Sequence, residues 1–278
     1  RNDETHELLE ATYGIMENWE SLSDLYERWA MAQSDPIQRA EICKKQGILQ
    51  EEACEDLEAA ADAYNQALNA NTEDEEALDA LIRIYRKTSQ LEEVVYIYRD
   101  IIQRTKDAGR KAQLLWRSAK LHAEDLSSPE DAVQVLEELL RLVPDDKEAL
   151  EFFLSLNEGL DRAPEAVGFL REQMETVTNA AVREVTAVAL AKILYTEMGD
   201  AEGGLAALDG LEDDAAEGSV LMVRADLYEA LGRDEELEAA LTKRIENLSK
   251  SPERADALCR LAELRERHGD YETGTAVY

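Results

Sequence analysis

The sequence predicts an all-α fold, a right-handed α-solenoid of about eight helix-turn-helix repeats, the last of which is truncated. Three observations support this fold class. The composition favours helices, because Ala, Leu and Glu are abundant while the 278 residues include only 13 Gly and 5 Pro. Apolar residues recur with a helical spacing, and the whole helical pattern recurs every 33 to 38 residues.

The first helix of a repeat is most clearly marked in the segment that begins at position 78. Positions i, i+3, i+4 and i+7 are occupied there by Leu78, Leu81, Ile82 and Tyr85. This spacing places all four side chains on one face of a helix. A glycine suited to the left-handed conformation is expected to end three such helices, at Gly199, Gly232 and Gly269.

The second helix of each repeat is marked by a pair of residues four positions apart. The first member is small or aliphatic: Leu22, Ala60, Val94, Ala132, Ala166, Gly204, Leu237 and Gly274. The second member is larger: Tyr26, Tyr64, Tyr98, Leu136, Leu170, Leu208, Leu241 and Tyr278. We expect the small residue to let two helices approach and the larger one to fill the space between them.

These pairs divide the chain into eight units of a single array over residues 1–278. The intervals between the first members are 38, 34, 38, 34, 38, 33 and 37 residues. The approximate units are 1–36, 37–73, 74–107, 108–145, 146–179, 180–217, 218–251 and 252–278.

The pattern resembles that of the tetratricopeptide family, whose signature is W-x2-LG-x2-Y, then A-x3-F, then Pro. The first-helix aromatic is matched by Tyr13, Tyr85, Tyr195 and Tyr228. The small second-helix residue and the closing proline are matched by Ala60, Ala132, Ala166 and Pro144. The second and sixth units depart from the signature, at Gly47 and Gln50 and at Gly203 and Gly204. Because position 1 is Arg and the last residue falls inside a motif, we expect a fragment of a larger, bacterial-type repeat protein.

Other helical repeat families fit less well. Pentatricopeptide repeats have a similar period but bind RNA, and the chain carries a formal charge of −32. Armadillo and HEAT repeats have longer periods of about 40–47 residues. The charge also disfavours anionic membranes as partners and favours a basic protein or peptide. Some of the acid has a local role, because Asp and Glu at helix starts complement the helix dipole.

The sequence contains no pattern typical of an enzyme, a cofactor site or a metal site. Phosphate-binding glycine loops are absent, and the three histidines form no i, i+4 pair. The odd number of cysteines, at Cys43, Cys54 and Cys259, argues against a disulfide framework. We therefore expect a non-catalytic protein, cytoplasmic by its cysteine usage, with a periplasmic location left open by the ends of the sequence.

In the resembling family, the first helix of each pair lines a concave groove that holds peptides. The corresponding positions of the third and fourth units are basic with one aromatic residue: Arg83, Arg86, Lys87, Trp116 and Lys120, next to Asp79. Those of the later units are acidic: Glu151, Glu158, Asp226, Glu229, Glu263 and Glu266. One interpretation is a bipolar groove that takes an acidic or carboxylate-bearing group at one end and a basic segment at the other. The alternative is a solvated surface on which each cation pairs with a nearby Glu.

The function predicted from these features is a protein–protein interaction scaffold or adaptor. Two other classes remain open at this stage. The chain could be the regulatory segment of a larger enzyme whose catalytic domain lies elsewhere, or a structural array that associates with itself.

Overall fold

The structure is a computed structural model that describes residues 2–211, 219–248 and 252–268. These residues form fifteen α-helices and no strand. The chain separates into two compact units, Arg1–Ser127 and Ser128–Tyr278. The first unit contains α1 (Asn2–Ile15), α2 (Trp19–Ala32), α3 (Pro36–Glu52), α4 (Leu57–Ala70), α5 (Glu75–Lys87), α6 (Leu91–Arg104) and α7 (Ala108–Lys120), which a π-helical turn extends over Leu121–Asp125.

The second unit contains eight helices. They are α8 (Pro129–Leu142), α9 (Lys147–Asn157), α10 (Ala163–Thr176), α11 (Ala180–Thr196), α12 (Ala201–Ala207), α13 (Ser219–Ala230), α14 (Asp234–Asn247) and α15 (Pro252–Arg267). In both units helices that follow one another along the chain pack together. The longest helix of the second unit, α11, also contacts α9 and α13 and is therefore central to it.

Acidic and amide side chains begin many of these helices. The side chains of Asp35, Asp56, Asp74, Asp107 and Asp146 each accept a hydrogen bond from a backbone N–H in the first turn. Such N-caps satisfy donors that have no partner inside the helix, and each contributes about 1 kcal/mol. They fix where α3, α4, α5, α7 and α9 begin.

The residue pairs that mark the second helices lie in the core. Both members of the first seven pairs are buried, from Leu22 and Tyr26 to Leu237 and Leu241. The eighth pair, Gly274 and Tyr278, lies outside the described residues, as does Gly269.

Two of the departures from the repeat signature have a packing explanation. A Cβ at Gly47 of α3 would lie 2.7 to 2.9 Å from ring atoms of Tyr64 on α4. A Cβ at Gly204 of α12 would lie 3.0 Å from a methyl carbon of Leu227 and 3.1 Å from the backbone oxygen of Ala191. At both positions the missing side chain lets two helices approach closely. Gln50, the other departure in the second repeat, donates a hydrogen bond to Ser23 Oγ across 2.8 Å.

Turns between paired helices pass through the left-handed region. The second unit uses glycine at Gly199 and Gly232, as expected, where φ is 67° and 63°. The first unit places other residues in that conformation, at Glu17, Glu55, Ser89 and Ser127, with φ between 51° and 58°. Because a side chain makes this conformation costly, packing of the adjoining helices must hold the turns at Glu17, Glu55 and Ser89 within this unit.

The predicted all-α repeat fold is confirmed within the described residues of both units. The division into eight repeats of one continuous array stays a prediction. Among the described helices, none has the length and apolar character needed to cross a membrane.

Candidate functional site

Two of the cations predicted to face a partner form salt bridges with carboxylates of the first unit. The guanidinium of Arg83 on α5 donates to both carboxylate oxygens of Glu51 on α3, and this hydrogen bonding raises the pKa of Arg83. Arg86 Nη2 lies 2.5 Å from Asp125 Oδ2 at the end of the π-helical turn. These charges are largely neutralised by carboxylates about one repeat away.

The remaining members of the predicted basic patch are differently placed. Lys87 is exposed at the end of α5 and forms no ion pair with any described residue. Lys120 Nζ lies 4.7 Å from the ring centroid of the half-buried Trp116, within the range of a cation–π interaction. No carboxylate among the described residues pairs with Lys120. Lys87 and Lys120 are therefore the cations of this patch that keep an uncompensated charge.

Three cations that were not predicted from the sequence connect the first helices of neighbouring repeats. Arg110 and Arg117 on α7 both bind Glu75 on α5, and Arg117 also binds Asp79. Lys44 on α3 reaches the start of α5, where its Nζ lies 3.2 Å from Asp74 and 2.7 Å from Glu76. The paired residues are 30 to 42 positions apart in the sequence. A search for opposite charges separated by about one repeat could therefore have identified these ion pairs from the sequence.

Lys44 is the most buried of these cations. Desolvation of its ammonium group acts to lower its pKa, but hydrogen bonds to Glu41, Glu76 and Asp74 outweigh that effect, and the pKa is raised. The side chains of Lys44 and Asp74 are only 10% and 5% exposed. A charge pair withdrawn from water to this degree depends on both members being present.

The acidic positions predicted in the second unit also divide into two groups. Asp226 and Glu229 on α13 bind Arg260 on α15 at 2.7 and 2.8 Å, and Glu151 lies 3.5 Å from Lys147. The others are exposed and form no ion pair within the described ranges: Glu158, Glu263 and Glu266.

A groove of about 570 Å³ crosses the second unit, between the end of α9, the start of α10, one side of α11 and the first half of α13. Its apolar lining is formed by Leu154, Val185, Val188, Ala189, Ile193 and Val223. Two of the predicted partner-binding residues, Glu158 and Asp226, lie on it. The volume is within the range of ligand-binding clefts, about 300–1,000 Å³.

The base of this groove is part of the core. Val188 and Val223 belong to a buried cluster that includes Ala187, Leu208 and Leu227. At the α9 end, Phe153 is fully buried and its ring centroid lies 4.9 Å from that of Phe169 on α10. Packing of this kind holds the surface in a fixed shape before a partner arrives, which lowers the entropy cost of binding.

Glu158 and Asp226 are the only residues on this groove that were named from the sequence as partner-binding positions. No residue of α11 was among the predicted partner-binding positions. The helix carries apolar residues on most of its circumference, so the periodicity does not single out one face. In the described part of the chain, no three His, Cys, Asp or Glu side chains gather as metal ligands would.

Comparison with known proteins provides evidence on the fold of this chain. No family model and no curated protein matches the chain. A chain of the Naa15/Naa10 complex bound to HypK-THB is similar with a TM-score of 0.54 and 15% identity, over 100% of this chain and 42% of that one.

Two further solved structures have lower TM-scores, and no argument rests on them. A tetratricopeptide repeat protein from Parabacteroides merdae has a TM-score of 0.36 at 14% identity, over 95% of this chain and 98% of that one. The TPR2AB domain of yeast Sti1, in a complex with pHSP90, has a TM-score of 0.36 at 17% identity, over 86% and 88%. Taken with the packed helical pairs of both units, the similarity to the Naa15/Naa10 structure shows that this chain has a tetratricopeptide-like fold.

Proposed function

We propose that the chain is a protein-interaction module, a scaffold or adaptor that binds a peptide segment of another protein. The observation that carries this proposal is the groove of the second unit, with its apolar base on α11 and α13 and its charged rim. A concave apolar surface of this kind, partly exposed and bordered by polar groups, is typical of surfaces that bind other molecules.

A solved structure of similar fold is consistent with such a role, because the Naa15/Naa10 complex is bound to HypK-THB. The groove lies mainly on α9, α11 and α13, which are the first helices of their pairs. First helices are the position expected to line the binding surface. The proposal assigns no catalytic step to the chain.

Filling the groove should weaken binding of the partner. Ala189 lies half-buried on the groove side of α11, and Ala189→Trp would place an indole in the space a partner side chain needs. We expect capture of the native partner to fall about tenfold or more, as for loss of one central contact. The measurement is quantitative affinity purification from native cells, with circular dichroism to confirm folding.

The matched control is Ala239→Trp. Ala239 is exposed on α14 and does not line the groove, so the same substitution adds the same apolar surface elsewhere. Equal partner profiles for the two variants would refute the groove as the binding surface.

We also propose that Lys87, Lys120 and Trp116 of the first unit contact an acidic or carboxylate-bearing group. Lys87→Glu combined with Lys120→Glu should weaken capture of an acidic partner about tenfold, because both cations lack a carboxylate among the described residues. Arg99→Glu combined with Lys106→Glu is the control, since it makes the same net-charge change on other exposed positions. Identical partner lists for the two double variants would make the patch ordinary solvated surface.

A further inference from the structure

Three carboxylates on the rim of the second-unit groove form no ion pair with any residue that the structure describes. Glu158 and Asp161 follow α9, are exposed, and form no ion pair with a described residue. Glu197, at the end of α11, accepts a hydrogen bond from Thr196 Oγ1 at 3.4 Å and forms no ion pair within the described ranges. Asp226, at the α13 side, is different because Arg260 binds it.

Two cations also line the groove. Lys192 is exposed on α11, and Arg162 is half-buried where α10 begins. Neither forms an ion pair with a described residue. The rim therefore has a pattern. Three carboxylates that form no ion pair with a described residue lie where α9 and α11 end, and two cations, Lys192 and Arg162, lie beside the apolar base.

We propose that the occupant of this groove is a basic amphipathic segment of a partner protein. Its apolar side chains pack on Val185, Ala189 and Ile193, and its Lys or Arg side chains bind Glu158, Asp161 and Glu197. This inference rests on the proposed function and adds the chemistry of the partner.

The charges support this choice of occupant over an acidic one. A cation of the segment would form charge-assisted hydrogen bonds with carboxylates that have no competing cation within the described residues. The formal charge of −32 would attract a basic segment from solution and repel an acidic one. Lys192 and Arg162 add a restriction, because the residues of the segment that face them must be neutral or acidic.

The test uses two fluorescein-labelled peptides of roughly 16 residues, long enough to form a helix on the surface. One carries Leu at i, i+3, i+4 and i+7 and Lys elsewhere, and its twin carries Glu in place of Lys. Fluorescence anisotropy at about 0.15 M salt measures binding to the full chain, since at that ionic strength distant charges are screened. We expect the basic peptide to bind at least about tenfold more tightly than the acidic twin.

Charge reversals in the groove should then act in opposite directions. Glu158→Lys combined with Asp161→Lys should weaken binding of the basic peptide about tenfold, and Lys192→Glu should strengthen it about threefold. Glu235→Lys combined with Glu236→Lys changes the net charge equally on exposed positions of α14, outside the groove lining, and should change affinity less than about twofold.

Each outcome supports or contradicts the inference. Equal weakening by the two double variants would contradict it, because net charge alone would then attract the peptide. Absence of binding by the basic peptide, tighter binding of the acidic twin, or binding that Ala189→Trp does not reduce would each overturn the inference. If Ala189→Trp still prevents capture of the native partner while the peptides show no preference for basic charge, the proposed function stands and only the chemistry of the occupant is wrong.

Discussion

Replacing Lys44 with Ala is expected to destabilise the first unit by about 3 kcal/mol. The substitution leaves the carboxylate of Asp74, which is 5% exposed, without its cation. Removal of one partner from a buried pair typically costs about 3–5 kcal/mol. The lower end applies because Asp74 still accepts the backbone N–H of Ala77 at 3.0 Å, and because Glu41 and Glu76 are mostly exposed.

Tryptophan fluorescence during urea denaturation is a suitable measurement, since all three tryptophans, Trp19, Trp29 and Trp116, lie in the first unit. The control is Lys45→Ala on the same helix, because the Lys45 side chain is 45% exposed and its ammonium group binds Glu10. That pair should contribute less than about 1 kcal/mol. Equal losses for the two variants would contradict the assignment of Lys44 as a buried link between α3 and α5.

The effect of Lys44→Ala also has a defined pH dependence. Because the pKa of Lys44 is raised in the folded state, its contribution is fully present below the ordinary lysine pKa of 10.5. It is lost only as pH rises through the folded-state pKa. The difference between the wild type and Lys44→Ala should therefore stay constant from about pH 6 to pH 9.

Phe153→Ala is expected to have the largest effect on the second unit, a loss of about 3–5 kcal/mol. Phe153 is 0% exposed and packs against Phe169, so the substitution leaves a cavity between α9 and α10 that neighbouring helices cannot fully close. Since the tryptophans all lie in the first unit, hydrogen exchange of the α9–α11 peptides is the measurement.

Phe152→Ala is the matched control. Phe152 is half-buried, so the same truncation removes less buried surface and should cost less than half as much. If the two variants accelerate exchange equally, the side chain at position 153 does not have the core role assigned to it.

Much of the fold was predictable because the sequence repeats one pattern of helix packing. A small residue and a larger one, four positions apart, recur as Ala60 with Tyr64 and Ala132 with Leu136, and both pairs are buried. Gly47 was interpreted as a departure from the pattern because its role in packing depends on a residue of another helix. Only the position of the Tyr64 ring shows why a side chain there would clash.

The proposed binding surface was less predictable because it depends on contacts between helices that are distant in the sequence. Arg83 is a cation at a helix position that was expected to face a partner, but its guanidinium already forms a salt bridge with Glu51 of the preceding repeat. The base of the second-unit groove was missed because α11 is apolar on most of its sides, so its sequence does not indicate that Val185, Ala189 and Ile193 line the groove. Periodicity predicts which residues face the core. Salt bridges between helices of different repeats decide which charged side chains remain available to bind a partner.

Site-specific photocrosslinking tests the central claim most directly. A benzoylphenylalanine replaces Ile193, within the groove, or Ala239, on the exposed side of α14. In native cells, irradiation should link position 193 to a partner protein through a basic segment with apolar residues, while position 239 should give no link to the same protein. Crosslinks of that partner to position 239 but not to position 193 would contradict the assignment of the groove as the binding surface.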